Sequence, residues 1–310
     1  MSKLIVVLSL VAGLAVAAKE PVRQGAAALS VTLTLDKDKV SAGDEIQAEV
    51  TLKNDSGKEL EVSELTFEER SVSFHVKATW GGKVKEYDLA IIRPDPHVAL
   101  RLPLAKVTLA NGKSISMQHR IQTLAAGPLE ITATYMNGAE AVKSAVCKAE
   151  VTGTSLIAVV DTTSGAVKID LDHENAPANV SNFVSLAKRH FYDDMLVHRV
   201  VRGSWIHSGC PYGLGLGGPG YALKAELNPA AIHDEGTISM SSFEKKDYSG
   251  SQFFICLGKL PSLDNKYTVI GKVDASNLDT VRAIGKVEVD KNTDRPKTEV
   301  KIKKVTISPK

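Results

Sequence analysis

Glycines 213, 215 and 218 stand in the G-x-G-x-x-G spacing that can hold the pyrophosphate of a dinucleotide, within the stretch GLGLGGPGY from Gly213 to Tyr221. That chemistry needs a strand before the loop and a helix after it. The helix N-terminus presents free N–H groups and the positive end of its dipole to the anion. Here the third glycine is followed by Pro219-Gly220-Tyr221, which breaks a helix, and no helical period comes after it. No bound cofactor is expected. Metal chemistry has little to work with, since the eight histidines are dispersed without an H-x-x-x-H or H-E-x-x-H pair. Asp290-Lys291-Asn292-Thr293-Asp294 begins like a calcium loop, but Arg295 replaces the sixth-position glycine and Lys301 the twelfth-position acid. A solvated loop is expected there, and no metal. Covalent catalysis lacks a G-x-S-x-G elbow and any evident nucleophile–base pair. Cys147, Cys210 and Cys256 form no C-x-x-C. Cys147 lies in an alternating run with Ala145, Ala149 and Val151 that buries it, and a bridge between Cys210 and Cys256 stays open.

The elements that must carry any site fall into two patterns over 310 residues, a length that allows two domains. Lys3, the apolar run Leu4 to Leu14 and Ala15-Val16-Ala17 read as a secretory signal with its cleavage site, over residues 1–18. The run is too short to cross ~30 Å of hydrocarbon comfortably. The chain is therefore expected to be exported, periplasmic or secreted, with no membrane attachment once the signal is removed. Lys and Arg number 38 against 36 Asp and Glu, a net charge of +2 that gives no field to attract nucleic acid or anionic membrane.

From residue 28 to 153 the sequence alternates apolar and polar residues. Leu29, Val31, Leu33 and Leu35 form one such run; Ile46, Ala48, Val50 and Leu52, then Val72, Phe74 and Val76, then Leu129, Ile131, Ala133 and Tyr135 form others. Each predicts a strand with one buried face. Asn54-Asp55-Ser56-Gly57, Gly81-Gly82, Asn111-Gly112 and Asn137-Gly138 mark turns between them. Short strands at this spacing predict an immunoglobulin-like β-sandwich without catalytic residues, a module for an unknown partner. The boundary falls near Gly153-Thr154-Ser155. A hairpin follows around Thr163-Ser164-Gly165. A helix then runs from Pro177 to about His190 with Val180, Phe183, Val184 and Ala187 on its apolar face. A short helix from Leu278 to Ile284 is stopped by Gly285.

Three segments of the second half are specific when taken in order: Phe191-Tyr192-Asp193 leading to Val197-His198-Arg199-Val200-Val201; the glycine-rich GLGLGGPGY; and a third composite. That third runs Gly236-Thr237-Ile238-Ser239-Met240, Gly250-Ser251-Gln252-Phe253-Phe254-Ile255, and Leu263-Asp264-Asn265-Lys266-Tyr267-Thr268-Val269-Ile270-Gly271-Lys272-Val273. Their order and spacing resemble the cyclophilin-type peptidyl-prolyl isomerases over residues 155–308. The resemblance implies a mainly β fold, a closed eight-stranded antiparallel barrel with a helix capping each end. It implies cis–trans isomerisation of X-Pro bonds in proline-containing polypeptide clients, with neither cofactor nor metal. Arg199 matches the family's catalytic arginine and Gln252 its substrate-contacting glutamine. Phe254 and Leu263 match walls of the proline pocket, Gly218 lies in the loop bordering the groove, and His198 matches a structural position.

The departures from the family pattern bear on strength of activity. Ser204 replaces an aromatic pocket wall, Trp205 falls on a methionine position and could refill the space, and His207 replaces a glutamine in the arginine's hydrogen-bond network. Ser241, Ser242 and Phe243 replace the family's Ala-Asn-Ala edge, whose contacts with substrate are largely main-chain. Tyr267 takes a position often held by His. Ser262 stands where some members carry the tryptophan tied to cyclosporin, which implies weak binding of that ligand. Two readings stay open: an active foldase for exported proteins, or a weakly active or inactive module that binds proline-containing segments as a scaffold or chaperone.

Overall fold

The computed structural model describes residues 28–66, 71–89, 93–94, 105–242 and 248–310. The expected signal segment and Phe243 lie outside the described residues. Among those described, the first half contributes β1 (Leu29–Leu35), β2 (Lys39–Ser41), β3 (Glu45–Asn54), β4 (Leu60–Ser63), β5 (Val72–Trp80) and β6 (Lys83–Leu89). It continues with β7 (Arg93–Pro94), β8 (Lys106–Leu109), β9 (Ser114–Gln122), β10 (Gly127–Asn137), β11 (Glu140–Lys143) and β12 (Cys147–Thr152). One sheet runs β1-β3-β9 and a second runs β2-β12-β10-β5-β6, with β11 added to β10 and a separate β4–β8 pair. The predicted alternation decides what lies between them. Leu33, Ile46, Val50 and Leu52 from the first sheet, and Phe74, Val76, Ile131 and Tyr135 from the second, are buried. The one polar atom Tyr135 takes inside is satisfied, its hydroxyl donating to Ser63 O at 2.7 Å.

The second half contributes β13 (Leu156–Thr162), β14 (Gly165–Leu171), α1 (Pro177–Lys188), β15 (Arg199–Val201), β16 (Trp205–Ser208) and β17 (Tyr221–Lys224). It ends with β18 (Thr237–Ser242), β19 (Tyr248–Cys256), β20 (Val269–Val273), α2 (Leu278–Gly285) and β21 (Ile302–Pro309). The strand order is β15-β16-β19-β18-β20-β14-β13-β21. This sheet is strongly curled, and beyond its named strands an isolated bridge pairs Leu196 with Lys301, with Val197 N–H donating to Val300 O and Ile302 N–H to Met195 O. Val160, Val167, Ile206, Phe253, Ile255 and Ile302 line the concave side, closed by Val281 and Ile284 of α2.

Both helices follow from the sequence with informative differences. The face Val180, Phe183, Val184 and Ala187 is buried as expected. Ala176 at the N-cap offers no side-chain acceptor. Glu226, far along the chain, takes that role: its carboxylate accepts the N–H groups of Ala178 (3.1 Å) and Asn179 (2.8 Å). A negative group there also complements the helix dipole. Gly285 does not stop α2 from outside; it is the last helical residue, and Lys286 is the C-cap. Its glycine is required by packing, because a Cβ at this position would lie 2.7 Å from Leu257 Cδ1. All three cysteines are free and buried, so the open possibility of a Cys210–Cys256 bridge is not realised.

The two halves touch along α1 and β17. Trp80 meets His173 edge-on at 4.9 Å, Lys83 pairs with Glu174 at 3.4 Å, and Lys188 Nζ donates to Gly43 O. β7 pairs antiparallel with β17, Tyr221 opposite Pro94 and Ala222 opposite Arg93.

Candidate active site

Residues directly opposite each other on antiparallel strands share a face of the sheet. Arg199 stands opposite His207, His207 opposite Phe254, and Phe254 opposite Ser239. Strand pairing therefore places a cation, an imidazole, an aromatic ring and a hydroxyl in one row across four strands. The next residues along turn the other way: Val200, Ile206, Ile255 and Ile238 form the buried row beneath. Phe253 packs inward against Phe183 and Tyr192, with ring centroids 5.8 Å away in each case. Its neighbour Phe254 meets Tyr267 edge-on at 5.3 Å, Trp205 at 6.4 Å, and His233 in a stacked contact at 5.9 Å.

Arg199 is held from one side. Its Nε and Nη2 both donate to Asp294 Oδ2, at 3.2 and 3.0 Å, and Asp294 O accepts Val200 N–H. Nη1 has no partner among the described residues. The side chain is 47% exposed, so the guanidinium is oriented by the carboxylate while its outer edge faces solvent. Asp294 adopts a left-handed backbone, φ 57°. It closes a turn in which Asp290 Oδ1 accepts Asn292 N–H, Thr293 N–H and Thr293 Oγ1–H. The segment read as a solvated loop thus delivers the residue that fixes the arginine.

The imidazoles beside Arg199 are neutral at neutral pH. Burial, then the positive charges of Arg295 and Arg199, push His198 down to about 4. Burial, then His198 and Arg199, push His207 down to about 3. The two rings lie 4.5 Å apart. Both nitrogens of His198 and Nε2 of His207 are buried without a hydrogen-bond partner among the described residues.

The glycine loop is pinned rather than free. Gln252 Nε2 donates to Gly215 O at 3.0 Å and Gly217 O at 2.8 Å, and Arg295 Nη1 donates to Gly213 O at 3.2 Å. Gly213, Gly215 and Gly217 take φ of 61°, 76° and 146°, a region closed to most side chains. With its interior carbonyls tied down, the loop turns Leu214 and Leu216 outward, 66% and 58% exposed. Both hydrogens of the Gln252 carboxamide are committed to this loop.

Comparison with known proteins places this geometry. The profile of the cyclophilin type peptidyl-prolyl cis-trans isomerase/CLD family matches residues 157–307. A peptidyl-prolyl cis-trans isomerase of Helicobacter pylori is 42% identical over 137 residues, 44% of this chain and 83% of that protein. The chain belongs to the cyclophilin-type peptidyl-prolyl cis-trans isomerases. Peptidyl-prolyl cis-trans isomerase A of Mycobacterium tuberculosis is 38% identical over 167 residues, 49% of this chain and 91% of that protein. A crystal structure of a cyclophilin type isomerase of Cryptosporidium parvum covers 50% of this chain and 98% of its own, at 29% identity and a TM-score of 0.47.

Within the isomerase half, the structure gathers Arg199, Trp205, His207, Gln252, Phe254 and Tyr267 on or beside one face. Gly218 lies in the pinned loop, and Leu263 ends a turn of 3-10 helix, Pro261–Leu263. Ser241 and Ser242 lie at the end of β18, where the register with β19 shifts. Ser204 sits in the β15–β16 turn, its carbonyl accepting Leu257 N–H at 2.7 Å. Sequence reasoning missed two residues. Asp294 was hidden in a polar run. His233, fully buried at its ring, was one unremarkable histidine among eight. Its Nδ1 bonds Asp264 Oδ1 at 2.9 Å and its Nε2 meets Ser239 Oγ at 3.0 Å. With Nδ1–H given to the carboxylate, Nε2 accepts the hydroxyl. Hydrogen bonds from His233's backbone N–H and ring hold the Asp264 carboxyl below the usual range. This chain of contacts makes a rigid floor for Phe254.

Proposed function

We propose that Arg199 is the catalytic residue of this isomerase, acting on the amide nitrogen of an X-Pro bond held against Phe254. The single observation that carries this reading is the row Arg199–His207–Phe254–Ser239, which sets a fixed cation two strand pairings away from an apolar ring platform, on the same face. Rotation about the peptide bond faces a barrier of ~18–20 kcal/mol because nitrogen shares its lone pair with the carbonyl. At the twisted geometry the lone pair returns to nitrogen and can accept a hydrogen bond. No bond is made or broken, so a donor present only to the twisted amide lowers the barrier without favouring either planar isomer. A guanidinium cannot lose its proton and keeps its donors in a fixed fork, which suits it to that role. Asp294 holds the fork from behind. Phe254, with Trp205, Tyr267 and Leu263 around it, grips the pyrrolidine ring. His207, Gln252 Oε1, Gly218 and the backbone of residues 241–243 contact the chain on either side.

In this reading residues 155–308 form a closed barrel, with the Leu196–Lys301 bridge supporting closure, and residues 28–153 form an immunoglobulin-like module. Residues 1–18 direct export, so the clients are proline-containing segments of exported proteins. Ser204 in place of an aromatic wall favours a reduced rate, since Trp205 meets Phe254 at only 6.4 Å and at a tilt. A protease-coupled or exchange assay on an X-Pro peptide tests both points. Wild type should accelerate exchange and Arg199→Ala should not. Equal, negligible rates for the two proteins would leave only a binding module. Ser204→Phe should raise kcat/KM several-fold, and an unchanged rate would remove the missing wall as the cause of weak turnover.

A further inference from the structure

Where the glycine loop begins, at Gly213, it borders a cavity of about 380 Å³ that the isomerase reading does not use. Met195, Leu196, Pro211 and the ring of Tyr212 supply apolar walls, and Asp193 and Asp194 supply two carboxylates. The volume falls within the range of small-ligand sites. Asp193 Oδ2 is occupied by His190 Nδ1 at 2.9 Å. Asp193 Oδ1 is buried without a partner among the described residues, a state that costs free energy until a donor arrives. The nearby guanidinium of Arg295 donates to Gly213 O but does not line the cavity. No group of three or more His, Cys, Asp or Glu that could hold a metal ion occurs among the described residues.

We propose that this cavity is an accessory subsite for a lysine or arginine side chain of the polypeptide substrate, a proposal that rests on the isomerase reading for the placement of that substrate. A basic side chain has the two parts the site asks for. Its methylene stem can lie along Met195, Leu196 and Pro211 while its charged head reaches carboxylate oxygen. The Tyr212 ring adds a face that attracts cations. The Asp193 side chain is 29% exposed, and a turn of its carboxylate brings the orphaned Oδ1 to an ammonium or guanidinium in the cavity, which satisfies it with a charge-assisted bond. A purely apolar side chain would leave it unpaired. The cavity and the groove are joined through the glycine loop: Gly213 borders the cavity, and Gly215, two residues on, is held by Gln252. An extended substrate advances roughly 3.3–3.6 Å per residue, so the separation of the two sites sets a single offset between the basic residue and the proline.

The test uses the full chain and pairs of X-Pro peptides, identical except for lysine or acetyl-lysine at offsets of two to five residues on either side of the proline. Wild type should favour the lysine peptide at one offset by roughly tenfold in kcat/KM at low salt. Asp193→Asn and Asp194→Asn should lose that preference while turning over the acetyl-lysine peptide at the wild-type rate. Asparagine tolerates the left-handed backbone of residue 194, φ 59°. A wild-type enzyme that is active but indifferent to lysine at every offset overturns the subsite and leaves the isomerase standing. A proline-free lysine peptide, followed by the NMR shifts of the Leu196 and Gly213 amides, reads the cavity independently of turnover. Saturable shifts in wild type and none in Asp193→Asn support the subsite even if no peptide is isomerised. No shifts in wild type, or equal shifts with a norleucine peptide, overturn it.

Discussion

On β5 and β6 of the first half, outward side chains satisfy one another across the strands: His75 Nδ1 hydrogen-bonds Asp88 Oδ1 at 2.8 Å, and Lys77 pairs with Glu86 at 3.9 Å. Lys148 does the same with Glu130 at 2.7 Å on neighbouring strands. On β15, β16 and β19 of the second half, the outward row holds Arg199, His207 and Phe254. Here a guanidinium stands across from a neutral imidazole, and that imidazole across from an aromatic ring, so no ion pair closes the row across the strands. Both regions use alternation to bury one face. They differ in the second face, which is self-satisfied in one half and left for a bound chain in the other. Phe254 is itself nearly covered by Tyr267, Trp205 and His233, and what this face leaves open is the outer edge of Arg199.

That contrast can be broken most sharply at Arg199. Arg199→Ala should lower kcat/KM by about 10²–10³-fold, the range for removing a preorganised donor to a transition state. The urea midpoint should hardly move, because the pair with Asp294 is partly exposed and such pairs add little. A large loss of stability with activity intact would show that the arginine is structural. Phe254→Ala comes next. It removes the ring contacted by Tyr267, Trp205 and His233, and should cost about 3 kcal/mol of stability as well as most of the binding of proline peptides. Retained affinity would move the pocket elsewhere.

The neutral histidines give the third effect. In the unfolded chain His198 and His207 take up protons near 6.5, whereas in the fold they do so only near 4 and 3. The unfolded state therefore binds more protons below pH 6.5. Stability from this pair is complete above that pH and falls as the solution is acidified, by about 2 kcal/mol for each ring between pH 7 and 5. Urea midpoints at the two pH values should show this loss, and His207→Gln should shrink it. An unchanged pH dependence in that variant would mean that His207 ionises freely. The smallest effect belongs to the first half. Lys77→Ala should change stability by less than about 0.5 kcal/mol, and a larger loss would remove the distinction between the two faces.

The strands, both helices and the buried rows were legible because burial writes its period into the sequence. The row Arg199, His207 and Phe254 was reached only through motif order, since nothing in a lone arginine says which carboxylate will hold it. Asp294 lies 95 residues from Arg199 and owes its place to a left-handed turn. His233 acts through Asp264 and Ser239, contacts that exist only once three loops and strands converge. Gly285 shows the reverse case. Its position at a helix end was plain, but the reason for it, the approach of Leu257, belongs to tertiary packing. The hold of Gln252 on the loop was not legible either, because Gly215 and Gly217 lie far from it in sequence.

β17 is four residues long, yet it is hydrogen-bonded on one side to β19, which carries Phe254, and on the other to β7 of the first half. Tyr221, at its start, also donates its hydroxyl to Asn182 of α1 at 2.6 Å. A swing of one half against the other would have to tear this strand from one of its neighbours. The two halves should therefore tumble in solution as a single body, not as beads on a string. A client held at Phe254 would feel the inertia of the whole molecule while only its own peptide bond turns.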